Sequence, residues 1–134
     1  MGSEPVIFPV HPRTRNYLRE FGLDEAGSIN GRLQLVEPLG YLDMLMLEQN
    51  TRLILTDSGG VQKEAYFFRV PCVTLRTETE WLETVETGWN VVAGTNLAQI
   101  MNLVNGKHWP QGTPPALFGN GRAAERIVSE LALH

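Results

Sequence analysis

Short apolar runs alternate with amphipathic stretches along the whole chain. Val6 to Val10, Leu33 to Val36, Arg52 to Thr56, Pro71 to Leu75 and Trp89 to Val92 are brief and rich in strand-forming residues, and such runs predict buried strands. Between them apolar side chains recur at helical spacing. Helices are predicted over 13–21, stopped by Gly22; over 41–49, with Leu42, Leu45 and Met46 on one face; and over 61–68. Further helices are predicted over 78–86, opening on acidic residues, over 97–104, capped by Thr95 or Asn96, and over 122–131, with Ile127, Val128 and Leu131 on one face. Gly27 to Gly31 reads as a turn and Lys107 to Leu117 as a Pro/Gly loop.

Strand and helix in alternation imply crossovers and a parallel sheet, and strands that are apolar throughout imply cover on both faces. The expected fold is therefore α/β, a Rossmann-like parallel sheet sandwiched by helices. A length of 134 residues fits one domain; residues 1–4 read as a terminal extension and 5–134 as the domain. With 43% hydrophobic and 19% charged residues a packed core is within reach, which excludes a wholly disordered chain. The net charge of -4 argues against a nucleic-acid partner, which calls for a basic stripe. No apolar run reaches membrane-spanning length and no signal peptide is visible. A single cysteine, Cys72, forms no intrachain disulfide and suits a reducing compartment, so a cytoplasmic location is expected. Cys72 lies inside an apolar strand and reads as core rather than nucleophile. The histidines and the cysteine lack metal-ligand spacing, so a zinc ion is not expected.

In an open parallel sheet ligands bind beyond the carboxyl ends of the strands. The third strand is followed by Asp57-Ser58-Gly59-Gly60 and then a helix. Two glycines admit a bulky anion close to the backbone, and the unpaired amides and positive dipole end of the helix favour phosphate. Ser58 adds a hydroxyl. An ordinary turn capped by Ser58 is the competing reading. Glu64, one turn into that helix, is placed to accept hydrogen bonds from ribose hydroxyls, or else is a solvated helix residue; Gln62 and Lys63 read as surface. His11 and Arg13 follow the first strand, where a phosphate contact competes with structural roles. Leu39, Gly40 and Tyr41 follow the second, with an aromatic ring suited to a nucleobase or to anchoring its own helix. Arg76 to Trp81 follow the fourth and cluster charge, hydroxyls and an indole at the same face; Glu80 has the chemistry for acid–base work, or is a solvated helix-start residue, and Trp81 reads as a lid or an interface residue.

The order and spacing of Pro9-Val10-His11-Pro12-Arg13-Thr14, Glu37-Pro38-Leu39-Gly40-Tyr41, Thr56-Asp57-Ser58-Gly59-Gly60-Val61-Gln62-Lys63-Glu64-Ala65, Val70 to Arg76 and Thr79-Glu80-Trp81 resemble the C-terminal part of the non-hydrolysing UDP-N-acetylglucosamine 2-epimerases. The Thr-Glu-Trp stretch is similar to the branch acting on related UDP-amino sugars. The resemblance runs from Pro5 to about Leu131. It implies the C-terminal half of a two-domain, glycosyltransferase-B-like fold that holds UDP. Ser58, Gly59 and Gly60 would then bind diphosphate, Glu64 the ribose hydroxyls, and Leu39, Gly40 and Tyr41 would frame uracil; His11, Arg13, Arg76 and Glu80 are possible additional contacts. The implied chemistry is elimination of UDP followed by its re-addition, inverting C2 of the sugar with no cofactor and no metal. Where this chain has Trp81, many family members carry an arginine that reaches phosphate, a part that Arg76 is placed to take.

The family's other acid–base residues lie in an N-terminal domain with no counterpart here, so the catalytic residues cannot be assigned and the chain reads as a UDP-binding half whose partner is that domain, inactive by itself. The UDP-sugar-binding half of a glycosyltransferase is the alternative, and a non-catalytic α/β interaction module a further one. A monomer or weak dimer is expected.

Overall fold

The computed structural model describes residues 4–24 and 31–134; the predicted turn at Gly27 to Gly31 lies, apart from Gly31, outside them. The chain divides into two compact units, Met1–Leu47 and Glu48–His134.

The first unit contains strand β1 (Val6–Pro9), helix α1 (Pro12–Glu20), strand β2 (Leu33–Val36) and most of helix α2 (Tyr41–Gln49). β1 and β2 are parallel, with Val6 opposite Leu33 and Pro9 opposite Val36. The amide of Val10 donates to Val36 O at 3.0 Å, which prolongs the ladder by one residue. His11 is the N-cap of α1: its Nδ1 accepts from the Arg13 amide at 3.2 Å, and Pro12 begins the helix, where its missing N–H costs nothing. Gly22, with φ of 67°, accepts the left-handed turn that stops the helix. Arg15 reaches Glu37 at 3.0 Å. The expectation that every apolar strand is fully covered fails at β1, where Val6 and Ile7 are each 41% exposed. Among the described residues β1 pairs with one strand, β2, whereas β4 below has one on each edge.

The second unit carries the sheet of strands β3 (Ile54–Thr56), β4 (Cys72–Thr74) and β5 (Asn90–Val92), all parallel, with β4 in the middle. Helices α3 (Gly59–Phe68) and α4 (Leu82–Glu86) are the crossovers, and α5 (Leu97–Gly106) and α6 (Ala123–Ala132) follow. β4 is buried throughout, and Ile54, Ala65, Val70 and Cys72 form a core with Val61 and Phe68 packed against it. Cys72 is core, as read from its strand, and burial pushes its thiol up to about 12. Asn96 caps α5 by accepting from the Gln99 amide at 3.0 Å. α6 forms as the spacing predicts, yet Ile127, Val128 and Leu131 stay exposed. The helix predicted from Glu78 begins only at Leu82, because Thr79 and Trp81 are drawn into other bonds. No helix among the described residues is long and apolar enough to cross a membrane.

Those bonds form a buried polar web. The Thr79 hydroxyl donates to Gln62 Oε1 at 2.6 Å, and Asn90 Nδ2 donates to the same oxygen at 3.1 Å. Asn90 Nδ2 also reaches Thr84 Oγ1 at 3.1 Å, and the Thr74 hydroxyl donates to Asn90 Oδ1 at 2.7 Å. Gln62, Thr74, Thr79, Thr84 and Asn90 are all buried, so Gln62 is not the surface residue its sequence context indicates. The web joins α3, β4, α4 and β5. Truncating its centre orphans several groups at once, each costing about 1–3 kcal/mol. Asn90→Ala is accordingly expected to lower stability by about 3 kcal/mol, read from the shift of the urea midpoint at unchanged slope.

Candidate functional site

Three strand ends of the second unit meet on one face. The Leu75 amide donates to Thr56 O at 2.8 Å, the Ala93 amide to Thr74 O at 2.9 Å and the Gly94 amide to Arg76 O at 2.9 Å. These bonds carry the parallel register past the last strand residues, and so set Ser58 and Arg76 beyond the carboxyl edge, where open α/β sheets bind ligands. The Ser58 amide donates to Thr56 Oγ1 at 3.0 Å, and the Ser58 hydroxyl accepts from the Val61 amide at 3.4 Å. Ser58 is therefore a helix cap, and the turn it closes points the free amides of α3 outward. The capped-turn reading of Ser-Gly-Gly therefore holds.

Trp81, on the loop after β4, holds that turn in place. Its Nε1 donates to Gly59 O at 2.8 Å, its ring stands edge-on to Phe118 at 5.7 Å, and Lys63 Nζ lies 4.7 Å from each of the two rings. Phe118 also meets Tyr66 at 5.6 Å, while the Tyr66 hydroxyl donates to Pro115 O at 2.6 Å. The Pro/Gly loop thus fastens to the back of α3, and Lys63, read as a surface residue, is part of the clasp. Trp81 is a fastening for the turn and not a free flap.

The backbone at Gly59 is closely approached from within the protein. A Cβ there would run into the Glu80 carboxyl and come within 3.4 Å of the Trp81 indole. At Gly60 the nearest atom to such a Cβ is Ser58 Oγ at 3.8 Å, so the space above Gly60 is left open. Glu80 therefore lies over the mouth of α3, where its charge meets the positive helix end. Arg76 Nη1 holds it at 3.0 Å. The mouth is partly filled by the protein's own anion.

Glu64 is partly buried, one turn into α3. Against it lies Glu48, near the end of α2 and only 2% exposed. Glu48 continues the apolar stripe expected at Leu42 and Leu45, but Leu42 and Met46 face solvent while the carboxyl is buried. No donor reaches either Glu48 oxygen among the described residues. Burial, reinforced by the charge of Glu64 and a bond between the two carboxyls, pushes Glu48 up to about 7. Sequence reading passed over Glu48, Asn90 and the burial of Gln62; an acid interrupting an apolar stripe was the one available signal.

Ser58, Gly59, Gly60, Glu64, Arg76 and Glu80 belong to the second unit. His11, Arg13, Leu39, Gly40 and Tyr41 belong to the first, where His11 caps α1, Arg13 and Tyr41 are exposed, and Gly40 O accepts the Met44 amide at 2.9 Å to open α2. No group of three or more His, Cys, Asp or Glu among the described residues is placed to hold a metal ion. Two open cavities lie away from the strand-end face. One, about 600 Å³, is lined by residues such as Arg122 and Arg126 on α6. The other, about 700 Å³, lies where β3 and β4 begin and is lined by residues such as Arg69, Pro71 and Trp109.

The family model described as UDP-N-acetylglucosamine 2-epimerase matches residues 2–132. A UDP-N-acetylglucosamine 2-epimerase homolog of Methanococcus maripaludis is 50% identical over 129 residues, 96% of this chain and 36% of its own. The UDP-2,3-diacetamido-2,3-dideoxy-D-glucuronate 2-epimerase of Pseudomonas aeruginosa is 44% identical over 131 residues, 96% of this chain and 35% of its own. The solved UDP-GlcNAc 2-epimerase of Methanocaldococcus jannaschii, in complex with UDP-GlcNAc and UDP, superposes with a TM-score of 0.85 at 45% identity, over 97% of this chain and 36% of that one. The chain spans about a third of the length of the curated relatives it matches. These likenesses extend to the parallel α/β fold itself.

The raised Glu48 carboxyl makes stability depend on pH. The folded chain keeps a proton up to about pH 7 that the unfolded chain releases near 4.5. The stability of the neutral form is whole below about pH 4.5 and is lost as the pH rises to about 7. With solvent screening of the pair allowed for, the loss is about 2 kcal/mol. Glu48→Gln is expected to remove this decline and to melt higher than the wild type above pH 7, as thermal melts across that range will show.

Proposed function

Because the chain belongs to the UDP-N-acetylglucosamine 2-epimerase family, we propose that it supplies the UDP-binding part of a UDP-amino-sugar 2-epimerase. The diphosphate sits on the Ser58–Gly60 turn, Arg76 takes up part of its charge once Glu80 swings aside, and Glu64 accepts from the ribose hydroxyls. The observation that carries this reading is the outward-facing N-terminus of α3. It is capped by Ser58, fastened by Trp81 and left open above Gly60, with a cation and an acid beside it. Backbone amides at a helix start bind phosphate without desolvating a buried charge of their own, and a carboxylate accepts two hydroxyl hydrogen bonds at once.

The reaction of the whole enzyme, on this reading, interconverts sugars of the UDP-GlcNAc and UDP-ManNAc type. The C2 proton leaves, the C1–O bond to UDP breaks with UDP taking the electron pair, and a 1,2-unsaturated sugar forms. UDP then returns to C1 and a proton to the opposite face of C2. This chain's contribution is to hold UDP while the sugar is free. Stabilising the departed diphosphate by a positive helix end lowers the barrier to C1–O cleavage, since charge develops there. The chain by itself is a binding module without turnover, its partner is the remaining part of the longer enzyme, and it works in the cytoplasm. The Pseudomonas relative favours a UDP-amino sugar more oxidised or more acetylated than UDP-GlcNAc as one substrate to try.

Calorimetric titration of the 134-residue chain with UDP is expected to show binding. Glu64→Ala is expected to weaken it by about tenfold, the worth of the hydroxyl hydrogen bonds to a charged acceptor. Absence of heat in the folded chain would refute the reading. Glu80→Gln is expected to tighten UDP binding by about threefold to tenfold, since the diphosphate no longer displaces or faces a second anion; unchanged or weaker binding would show that Glu80 does not compete for the mouth.

A further inference from the structure

Glu48 is an acid with no evident reason to be buried. Its side chain lies near the C-terminal end of α2, 2% exposed, and no donor among the described residues reaches either oxygen. The group set against it is another acceptor, the carboxyl of Glu64. Two ionised carboxylates cannot hydrogen-bond to each other; one proton between them turns a repulsive contact into a donor–acceptor pair. Among the described residues, Glu64 on α3 and the Cys72 thiol on β4 are titratable groups that couple to Glu48, and that thiol, pushed up to about 12 by burial, stays neutral. Burial favours the protonated Glu48, and Glu64 is the ionisable neighbour that reinforces it.

From this contact we propose that Glu48 is a positioning residue for the nucleotide site: its protonated carboxyl donates to Glu64 and holds that acid in the orientation that receives the ribose hydroxyls. This deepens the proposed UDP site and rests on it. A Glu64 carboxyl held at one oxygen keeps the other oxygen and the remaining lone pairs for the ligand, and loses less freedom on binding. When Glu48 ionises, the bond is lost, like charges face each other, and Glu64 turns from the ligand. Ribose affinity is thereby tied to the proton on a residue that never touches the ligand. The neutral form of Glu48 prevails below about pH 7, so tight binding belongs to the acidic side of neutrality and weakens as pH rises through it.

The test is titration of the wild-type chain, Glu48→Gln and Glu48→Leu with UDP-GlcNAc at intervals from about pH 5.5 to about pH 8.5. The sugar diphosphate is a diester and does not change charge in that range, and thermal melts in the same buffers report folding. Wild-type affinity is expected to fall by about tenfold across the range, the loss of one charge-assisted hydrogen bond. Glu48→Gln, whose amide donates at every pH, is expected to give a flat profile. Glu48→Leu, which donates at none, is expected to bind weakly and equally throughout. A purely structural role moves the melts and leaves the three pH profiles parallel; parallel profiles with binding intact would overturn the positioning role alone. No binding by any folded chain at any pH would overturn the UDP reading, and the positioning role with it.

Discussion

The hydrogen bond that the rest of the site depends on runs from the Trp81 indole to the carbonyl of Gly59. It ties the loop after β4 to the first turn of α3, so the exposed amides of that turn do not fray. Further bonds lie behind it. Thr79, two residues before Trp81, donates its hydroxyl to the buried Gln62 of α3, and Asn90 of β5 donates to the same oxygen. A helix start that offers its amides to an anion cannot satisfy them internally, so its stability has to come from neighbours. Here those neighbours are an indole and a threonine from the loop after β4 and an asparagine from β5.

The electrostatics of the face follow from that frame. The positive end of α3 is covered in part by Glu80, itself held by Arg76. One turn further on a second acid, Glu64, is backed by a third, Glu48. An acidic residue over a phosphate-seeking turn looks contradictory until its mobility is considered. Glu80 is attached through a flexible, half-exposed side chain and an exposed ion pair, which contributes little and breaks easily. Glu48 is the opposite case. It is buried, has no donor, and gains nothing from its charge, so it keeps its proton instead. Two carboxyls of the same residue type thus differ through burial and through the charge each one faces.

Much of this was legible along the chain. The alternation of apolar runs and helical spacing foretold parallel strands and the order of the elements. The Ser-Gly-Gly turn after an apolar run foretold a capped helix start at the carboxyl edge, and Cys72 within an apolar run foretold a core thiol. The start of α4 was misplaced because Thr79 and Glu80 have acceptable helix chemistry locally, whereas the Thr79 hydroxyl is claimed by Gln62, remote in sequence. β1 looked as apolar as β4, but apolar character records a tendency to be covered and not which neighbours will cover it.

What the sequence determined by itself was local: periodicity, caps, breakers and a Ser-Gly-Gly turn that opens a helix, since these depend on side chains a few positions apart. Only the tertiary structure decided that Gln62 is a buried hub, that Glu80 lies over Gly59 and that Glu48 meets Glu64. Each of those facts joins residues from different elements, and burial and charge proximity are properties of the packed chain that no window of sequence contains.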